Sequence, residues 1–173
     1  MKIIYNKVIP FKGFKLMNIL GLVFSRVEEK FITLVNKRHE QTHTYQQYEL
    51  LCIGAFISLV FCNIYQSWWY LLGVLLIPFI IYVMAWLLEI VLPPYHNVKE
   101  YFAGKTLWGK IKAVPKWASK VCHDAYHDNC FEREAYLNER NVNYFVTRHW
   151  CGWVGYIIKD RKEQRYVSRT EIK

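Results

Sequence analysis

Lysine and arginine are missing from a long continuous stretch of this chain. All 23 of them lie in residues 1–48 and 93–173, whereas residues 49–92 carry only two charges, Glu49 and Glu89. The whole chain has 173 residues and a net charge of +9. Its length suits one domain and excludes a large multidomain assembly. Its positive charge is divided between two basic blocks that flank an almost uncharged one.

Cysteine is scarce, and no signal peptide is recognisable. The five cysteines are odd in number, form no CxxC pair and include Cys52 and Cys62 in the apolar stretch. This pattern argues against a disulfide framework and favours small buried hydrophobic side chains. The first ten residues are interrupted at Asn6, Lys7 and Pro10, so no cleavable signal peptide is predicted and the apolar segments are expected in the mature protein.

The stretch without basic residues contains two segments long enough to cross a bilayer. Residues 45–65 give about 21 residues, or roughly 31 Å of helix, and residues 68–92 give about 25 residues, or roughly 37 Å. The intervening turn contains Asn63 and Ser67, and Pro78 is a place for the second helix to kink. We expect an antiparallel transmembrane hairpin. A hairpin buried in a soluble oligomer and a re-entrant first segment remain the alternatives.

The positions of lysine and arginine predict the orientation of this hairpin. Its turn has none, both outer flanks are basic, and cytoplasmic flanks of membrane helices carry an excess of these residues. We therefore expect an integral protein of the bacterial inner membrane with both termini in the cytoplasm. The lipid bilayer accounts for the basic charge, and since no finger, recognition-helix or RNA-binding pattern is present, nucleic acid is not an expected partner.

The remaining segments predict a mainly α membrane protein with one zincin-like domain over residues 1–173. Residues 1–27 favour a β-hairpin, with strands in 2–10 and 15–26 joined near Gly13. Residues 28–48 predict a helix that runs directly into the hairpin of residues 49–92. Beyond it we expect short surface helices in the basic region 93–127, a helix over 128–150 and a basic tail over 151–173.

His39, Glu40 and His43 form an HExxH motif within the first predicted helix. The i, i+4 spacing puts both imidazoles on one helix face, about 6 Å apart, which suits two corners of a zinc tetrahedron. Glu40 lies beside them, where its carboxylate can take a proton from a metal-activated water. The motif therefore predicts a hydrolytic Zn²⁺ site, and its alternative is an exposed polar helix face.

A catalytic zinc needs a third protein ligand and an open position. The later helix offers two neighbouring carboxylates, Glu132 and Glu134, in the segment FEREAY. Either carboxylate would complete the site if its helix faced the HExxH helix.

HExxH followed downstream by Glu132-Arg133-Glu134-Ala135 resembles the gluzincin metallopeptidases. Their pattern is HExxH on one helix and ExxA, usually followed by Asp, on a later helix. The membrane-embedded types, such as heat-shock membrane proteases, CAAX-prenyl endopeptidases and beta-lactam-sensor proteases, look closest in general plan. The chain is more similar still to small uncharacterised bacterial membrane proteins that combine HExxH, an apolar hairpin and FEREAY. The similarity is local and covers about ten motif residues.

This resemblance implies that zinc is bound by His39, His43 and Glu132, with Glu40 as the general base. It favours Glu132 over Glu134, because Ala135 then takes the small-residue position of ExxA and allows close packing. The chain departs from the family at Tyr136, where many gluzincins have an Asp that supports the ligands. That departure bears on fine geometry and activity more than on metal binding.

Two further histidines form a second possible metal group. His123 and His127 are also spaced i, i+4, and their candidate partners are Asp124, Asp128 and Cys130. A polar helix surface is the favoured interpretation of this cluster, because such residues are mostly exposed.

Other residues are candidates for supporting roles. One of the late histidines such as His127, or Tyr126 or Tyr136, could stabilise the oxyanion of a transition state. Glu49 and Glu89, near the cytoplasmic ends of the membrane helices, could line a polar cavity, but solvation at the helix ends is the favoured expectation. The N-terminal hairpin is placed to hold an extended substrate by edge-strand pairing.

The function expected from these residues is a membrane-embedded zinc metallopeptidase that cleaves a peptide or a membrane protein at the cytoplasmic surface. The alternative is a non-catalytic zinc-binding membrane protein, in which the ion braces the helices of a sensor or an assembly subunit. Glu40 separates the two, because hydrolysis requires a base beside the metal and a purely structural site does not.

Overall fold

The computed structural model of the protein describes residues 2–6, 8–10, 15–91 and 101–157. These residues are mainly helical, with a small sheet near the N-terminal end. The strands are β1 (Lys2–Tyr5), β2 (Leu16–Ile19) and β3 (Leu22–Ser25). The α-helices are α1 (Leu34–Tyr65), α2 (Gly73–Val91), α3 (Leu107–His127), α4 (Cys130–Asn138) and α5 (Tyr144–Thr147). Short 3-10 helices cover Glu29–Phe31, Trp68–Leu72 and Gly152–Tyr156.

The N-terminal sheet has three strands in the order β1-β3-β2, so the predicted two-stranded hairpin is wrong. The second predicted strand splits into β2 and β3, which pair antiparallel around Leu20 and Gly21. Both turn residues have positive φ, 51° and 83°, as a tight two-residue hairpin turn requires. β1 pairs with β3 in parallel, with Lys2 opposite Leu22. The turn predicted at residues 11–14 lies outside the described residues.

Helix α1 is continuous through the HExxH motif and the first apolar segment, as expected. It begins a few residues later than predicted, because Thr33 and Asn36 form a capping box at its N-terminus. The Asn36 amide donates to the Thr33 hydroxyl at 3.2 Å, and the Thr33 amide donates to the Asn36 side chain at 3.1 Å. The cap satisfies two amides that the helix itself leaves without partners.

Helices α1 and α2 form the expected antiparallel hairpin and pack closely through small residues. A Cβ on Gly54 would lie 2.8 Å from the Val74 carbonyl oxygen, and one on Gly73 would lie 2.5 Å from the Ser58 hydroxyl. Side chains larger than hydrogen would therefore push the helices apart. By length and composition, both apolar helices are capable of crossing a membrane.

The region after the hairpin differs from its prediction. Residues 107–127 form one helix, α3, instead of short pieces, although Pro115 lies inside it. Thr106 caps its start, and Val121 and Ala125 are buried near its end. This packing outweighs the backbone hydrogen bond that Pro115 removes. Trp86 of α2 donates its indole N–H to the Cys122 carbonyl at 3.2 Å, which ties α3 to the hairpin.

The predicted helix over residues 128–150 is interrupted after Asn138. The sequence there is rich in asparagine, whose side chains bond to nearby backbone and favour turns. Asn141 accepts a hydrogen bond from the Asn143 amide at 3.0 Å, and α5 starts only at Tyr144.

Most of the basic tail, residues 158–173, lies outside the described residues. A small core cluster of Leu50, Cys130, Phe131 and Trp153 joins α4 to the hairpin.

The two acidic residues of the hairpin are buried, so the expectation that they are solvated is wrong. Glu49 and Glu89 are 4% and 5% exposed. Each pairs with an arginine from the later part of the chain, Glu49 with Arg148 and Glu89 with Arg133. A buried carboxylate without such a partner would be strongly unfavourable. These pairs join residues about 45 to 100 positions apart, and no periodic pattern in the sequence predicts them.

Candidate metal centre

The HExxH motif places two imidazoles on the face of α1 that meets α4. His39 and His43 are one turn apart, and their Nε2 atoms are 3.1 Å from each other. Their side chains are only 13% and 17% exposed. The helical spacing alone brings the rings onto one face, and the packing of α4 then turns both Nε2 atoms inward.

Glu132 is the carboxylate that joins this pair. Asn129 caps α4, accepting hydrogen bonds from the Phe131 and Glu132 amides at 2.9 and 3.0 Å, so Glu132 lies in the first helical turn. Its two oxygens are each 3.5 Å from one imidazole, Oε2 from His39 Nε2 and Oε1 from His43 Nε2. All three side chains therefore place ligand atoms within 4.8 Å of one another.

The spacing of these ligand atoms suits zinc. A tetrahedral zinc with bonds of about 2.0–2.1 Å needs ligand atoms about 3.3–3.4 Å apart. The two Nε2 atoms are 3.1 Å apart, and each lies 3.5 Å from a different oxygen of Glu132, so each of these contacts is close to that value. Two imidazoles and one carboxylate also form the donor set of known catalytic zinc sites, with the fourth corner open. His39, His43 and Glu132 thus fit the expected ion.

The second nitrogen of each imidazole has its own partner. His39 Nδ1 lies 3.1 Å from the Glu139 carboxylate, and His43 Nδ1 lies 2.8 Å from the Gln46 side-chain oxygen. Both partners are acceptors, so each ring carries its proton on Nδ1 when neutral and presents the Nε2 lone pair to the centre. Metal-binding histidines are commonly oriented in this way.

In the zinc-free protein, protons take the place of the cation. Burial opposes the charged form of His39, but hydrogen bonds to Glu132 and Glu139 outweigh it and raise its pKa to about 9. The pKa of His43 is also raised, because the charge of Glu132 outweighs burial. Burial favours the neutral form of Glu132, yet the charge of His43 and hydrogen bonds from both imidazoles hold its pKa well below the usual range. Zinc must therefore displace bound protons.

Glu40 is buried beside the imidazoles and is held in place through its backbone. It is 7% exposed, and burial raises its pKa against the opposing charges of His43 and His39. Its carbonyl accepts a hydrogen bond from the Asn18 side chain of β2 and another, at 3.1 Å, from Thr44. The sheet is thus attached directly to the turn that carries the motif.

The same contact occupies part of an edge strand. Gln47 of α1 donates to the Asn18 carbonyl at 3.0 Å and accepts from the Leu20 amide at 2.6 Å. Tyr48 adds a hydrogen bond to the Leu20 carbonyl at 3.2 Å. The Asn18 carbonyl of β2 is therefore already bonded to α1, which limits this stretch of the edge as a template for an extended substrate.

Glu134 does not join the histidine pair. It is fully buried and accepts hydrogen bonds from Arg148 Nε at 2.6 Å, from the Tyr144 hydroxyl at 2.6 Å and from Gln46 Nε2 at 2.8 Å. Arg148 in turn binds both oxygens of Glu49, one of them at 2.9 Å. A continuous polar network therefore runs from the metal centre to the start of the apolar segment.

Two tyrosines and a histidine line the same centre. The Tyr136 ring lies 4.6 Å from the His39 ring, and its hydroxyl is 3.2 Å from His127 Nδ1. Tyr126 hydrogen-bonds to Glu132, and its pKa is raised by burial and by the charge of Glu132. The three candidates for transition-state contacts are thus all close to the ligands, on α3 and α4.

The second histidine pair does not form a comparable centre. His123 is 70% exposed, and its nearest acidic partner is Asp124 at 3.9 Å. In the part of the chain that the structure describes, no third ligand joins His123 and His127 in a metal-binding group. Burial and the charge of His123 lower the pKa of His127.

The sequence patterns did not predict three residues of the centre: Gln46, Glu139 and Arg148. Gln46 follows His43 by one helical turn, and Glu139 follows Glu132 by two, so both lie on the correct helix faces. Glu139 orients His39, the kind of supporting role that the gluzincin resemblance gives to the Asp missing at Tyr136. Arg148 left no local signal, because its partners come from distant helices.

No protein-family model matches the chain, and comparisons with curated proteins and with solved structures give no match.

Proposed function

We propose that this protein is a membrane-embedded zinc metallopeptidase that hydrolyses peptide bonds at the cytoplasmic membrane surface. One observation carries the proposal: ligand atoms of His39, His43 and Glu132 lie within 4.8 Å of one another beside the buried carboxyl of Glu40. The three ligands leave one corner for water or substrate, and Glu40 supplies the base that hydrolysis needs.

Bound zinc would act as a Lewis acid toward the scissile carbonyl and lower the pKa of a water molecule. Glu40 accepts a proton from the attacking water as the new C–O bond forms. It then passes this proton to the amide nitrogen as the C–N bond breaks, which yields a carboxylic acid and an amine. The raised pKa of Glu40 suits both steps, because a base must also release the proton again.

Tyr136 and Tyr126 are the candidates for stabilising the oxyanion. A phenol hydroxyl can donate a hydrogen bond to the developing negative charge. Tyr136 lies against His39 and Tyr126 bonds to Glu132, so each phenol contacts one of the proposed zinc ligands. His127, next to the Tyr136 hydroxyl, orients that phenol.

The proposed membrane location is supported by the outward surface of the hairpin and by α3. Large apolar side chains of α1 and α2 point away from the rest of the described chain, for example Phe56, Leu75 and Phe79 at 70%, 69% and 66% exposed. Residues 101–123 contain five lysines and no acidic residue. This basic charge suits an anionic membrane surface and favours cytoplasmic termini.

The decisive experiment compares the wild type with Glu40→Gln after purification in detergent. Both proteins should bind one zinc per chain, and only the wild type should cleave members of a peptide library. Glu28→Gln is the matched control, because Glu28 is 61% exposed and pairs only with the nearby Lys30 in the described structure. Absence of zinc from the wild type would overturn the zinc site, and equal cleavage by Glu40→Gln would overturn the role of Glu40.

The burial of the centre favours one alternative, a non-catalytic zinc site that braces α1 against α4. The two histidines are 13% and 17% exposed and Glu132 is 4% exposed, so a large substrate has little access. The same experiment distinguishes the two functions. Stoichiometric zinc in both proteins without cleavage by either would favour the structural role in a sensor or assembly subunit.

A further inference from the structure

Glu134 is a fully buried carboxylate that the proposed reaction does not use. Among the described residues, Gln46 connects it to the metal centre, donating its amide N–H to Glu134 Oε2 at 2.8 Å. The other oxygen, Oε1, accepts from Arg148 Nε and from the Tyr144 hydroxyl, each at 2.6 Å. With donors on both oxygens, this carboxylate acts purely as an acceptor.

The partners of Gln46 determine which way its amide faces. Its Nε2 lies 2.9 Å from the Phe131 carbonyl and 2.8 Å from Glu134, and both of these groups only accept hydrogen bonds. The nitrogen must therefore be on this side, and the amide oxygen must face His43 Nδ1 at 2.8 Å. Gln46 is 2% exposed, so water has no room to replace these bonds.

An acceptor at this position selects one tautomer of His43. The Gln46 oxygen requires a proton on Nδ1, which leaves the lone pair of the neutral ring on Nε2. That lone pair faces Glu132 Oε1, 3.5 Å away, and the His39 ring. Glu134, two hydrogen bonds away, thus favours the form of His43 in which Nε2 is free to bind a metal.

We propose that Glu134 is a positioning residue that acts through Gln46 to hold His43 in its metal-binding tautomer. This inference rests on the zinc site of the proposed function and adds a role for a carboxylate outside the ligand set. Arg148 and Tyr144 take part because they determine which oxygen of Glu134 is left for Gln46.

The substitution Glu134→Gln keeps the shape and reverses the hydrogen-bond polarity. Arg148 and Tyr144 both donate, so the new amide must turn its oxygen toward them and its NH₂ toward Gln46. Two donors then face each other. Turning the Gln46 amide by half a rotation removes this clash but sets its oxygen against the Phe131 carbonyl, so the substitution destabilises the native orientation and leaves neither orientation fully bonded. In the turned orientation the Gln46 NH₂ donates to His43 Nδ1, which moves the ring proton to Nε2 and blocks the ligand atom.

Zinc affinity and the His43 tautomer test this role independently of catalysis. Affinity is measured in detergent by competition with a chromophoric chelator, for the wild type, Glu134→Gln, Gln46→Leu and the exposed control Glu28→Gln. We expect zinc affinity to fall by about 10–100-fold in Glu134→Gln and in Gln46→Leu, and not to change in Glu28→Gln. ¹⁵N NMR of the zinc-free protein at pH 10 should report a larger share of the Nδ1–H tautomer of His43 in the wild type than in Glu134→Gln.

A double variant provides the rescue. In Gln46→Glu/Glu134→Gln, the amide NH₂ at position 134 donates to the new carboxylate at position 46. The other oxygen of that carboxylate again accepts from His43 Nδ1. We expect it to recover part of the lost zinc affinity, because the new carboxylate also faces the Phe131 carbonyl, and a purely packing role for Glu134 would produce no recovery.

The outcomes separate this inference from the proposed function. Wild-type affinity in both Glu134→Gln and Gln46→Leu, or a loss in Glu134→Gln with no change of tautomer and no rescue, would overturn the positioning role. Gln46→Leu keeps the Arg148 and Tyr144 bonds of Glu134, so it decides the question if Glu134→Gln does not fold. A wild type that binds no zinc would overturn the proposed function, while the NMR experiment would still decide the tautomer.

Discussion

The two halves of α1 follow opposite rules of burial, although they form one continuous helix. Residues 34–49 bury polar side chains, including Glu40, Gln46 and Glu49, which are 7%, 2% and 4% exposed. Residues 50–65 expose apolar side chains, including Phe56 and Leu59, at 70% and 60%. The first half is stable because its polar groups bond to one another, whereas the second half is stable where lipid replaces water. One helix thus connects a polar site to an exposed apolar surface that is long enough to cross a membrane.

The largest expected effect comes from breaking the polar half at Arg148. This side chain is 5% exposed and lies between the carboxylates of Glu49 and Glu134. Arg148→Met would leave two buried carboxylates without their cation, so we expect the free energy of unfolding to fall by about 3–5 kcal/mol. Denaturant unfolding of the detergent-solubilised protein measures this loss. The exposed Lys112, also substituted by methionine, should change stability by less than about 0.5 kcal/mol. Equal effects of both substitutions would contradict the buried pairing.

A charge on the apolar half should have the next largest effect. Phe56 lies near the middle of the segment over residues 45–65, and a lysine there costs about 2.5–3.5 kcal/mol in a bilayer. Phe56→Lys should therefore release a large share of the protein during carbonate extraction of membranes. Leu107→Lys is the control, because Leu107 is equally exposed, at 74%, and lies outside the apolar segments. Complete retention of Phe56→Lys in the pellet would refute insertion of this half.

The smallest expected effect is the pH dependence of zinc binding, which tests the protonation of the polar half of α1. In the zinc-free protein the pKa of His39 is raised to about 9, so near pH 7 zinc has to displace its proton. Affinity should increase as pH rises from 6.5 and level off above about 9, by up to about tenfold per pH unit for each proton released. Calorimetry in buffers of different ionisation enthalpy measures the protons released. An affinity that stays constant between pH 6.5 and 8.5 would contradict this arrangement.

The same pKa shift predicts how zinc-free stability depends on pH. His39 binds its proton more tightly in the folded protein than in the unfolded chain, whose histidine pKa is about 6.5. Its stabilising contribution is therefore complete below about pH 6.5 and is lost as pH rises toward 9. Zinc reverses this trend, because it binds the deprotonated ligands.

Local patterns were sufficient to predict the apolar helices and the motif helix. The absence of lysine and arginine over residues 49–92 and the i, i+4 spacing of His39 and His43 depend only on neighbours in the chain. Strand pairing was not predictable in this way. The positive φ at Leu20 divides one apolar run into β2 and β3, and the parallel partner of β1 is separated from it by that hairpin.

The burial of Glu49 and Glu89 was also beyond local reasoning. A carboxylate near a helix end is ordinarily solvated, and only a distant arginine reverses that expectation. Arg148 is about 100 residues from Glu49 along the chain, and Arg133 lies next to the predicted ligand Glu132. Gln46 and Glu139 were closer to prediction, since each lies on the same helix face as a ligand.

By itself, the sequence determined that two imidazoles share a helix face and that a later helix carries two carboxylates. It also determined that an apolar hairpin separates the two helices along the chain. Only the tertiary structure decided which carboxylate meets the imidazoles. Residues two apart on a helix point in nearly opposite directions, about 200° around the axis. The packing of α4 against α1 therefore sends Glu132 to the histidines and Glu134 to Gln46 and Arg148.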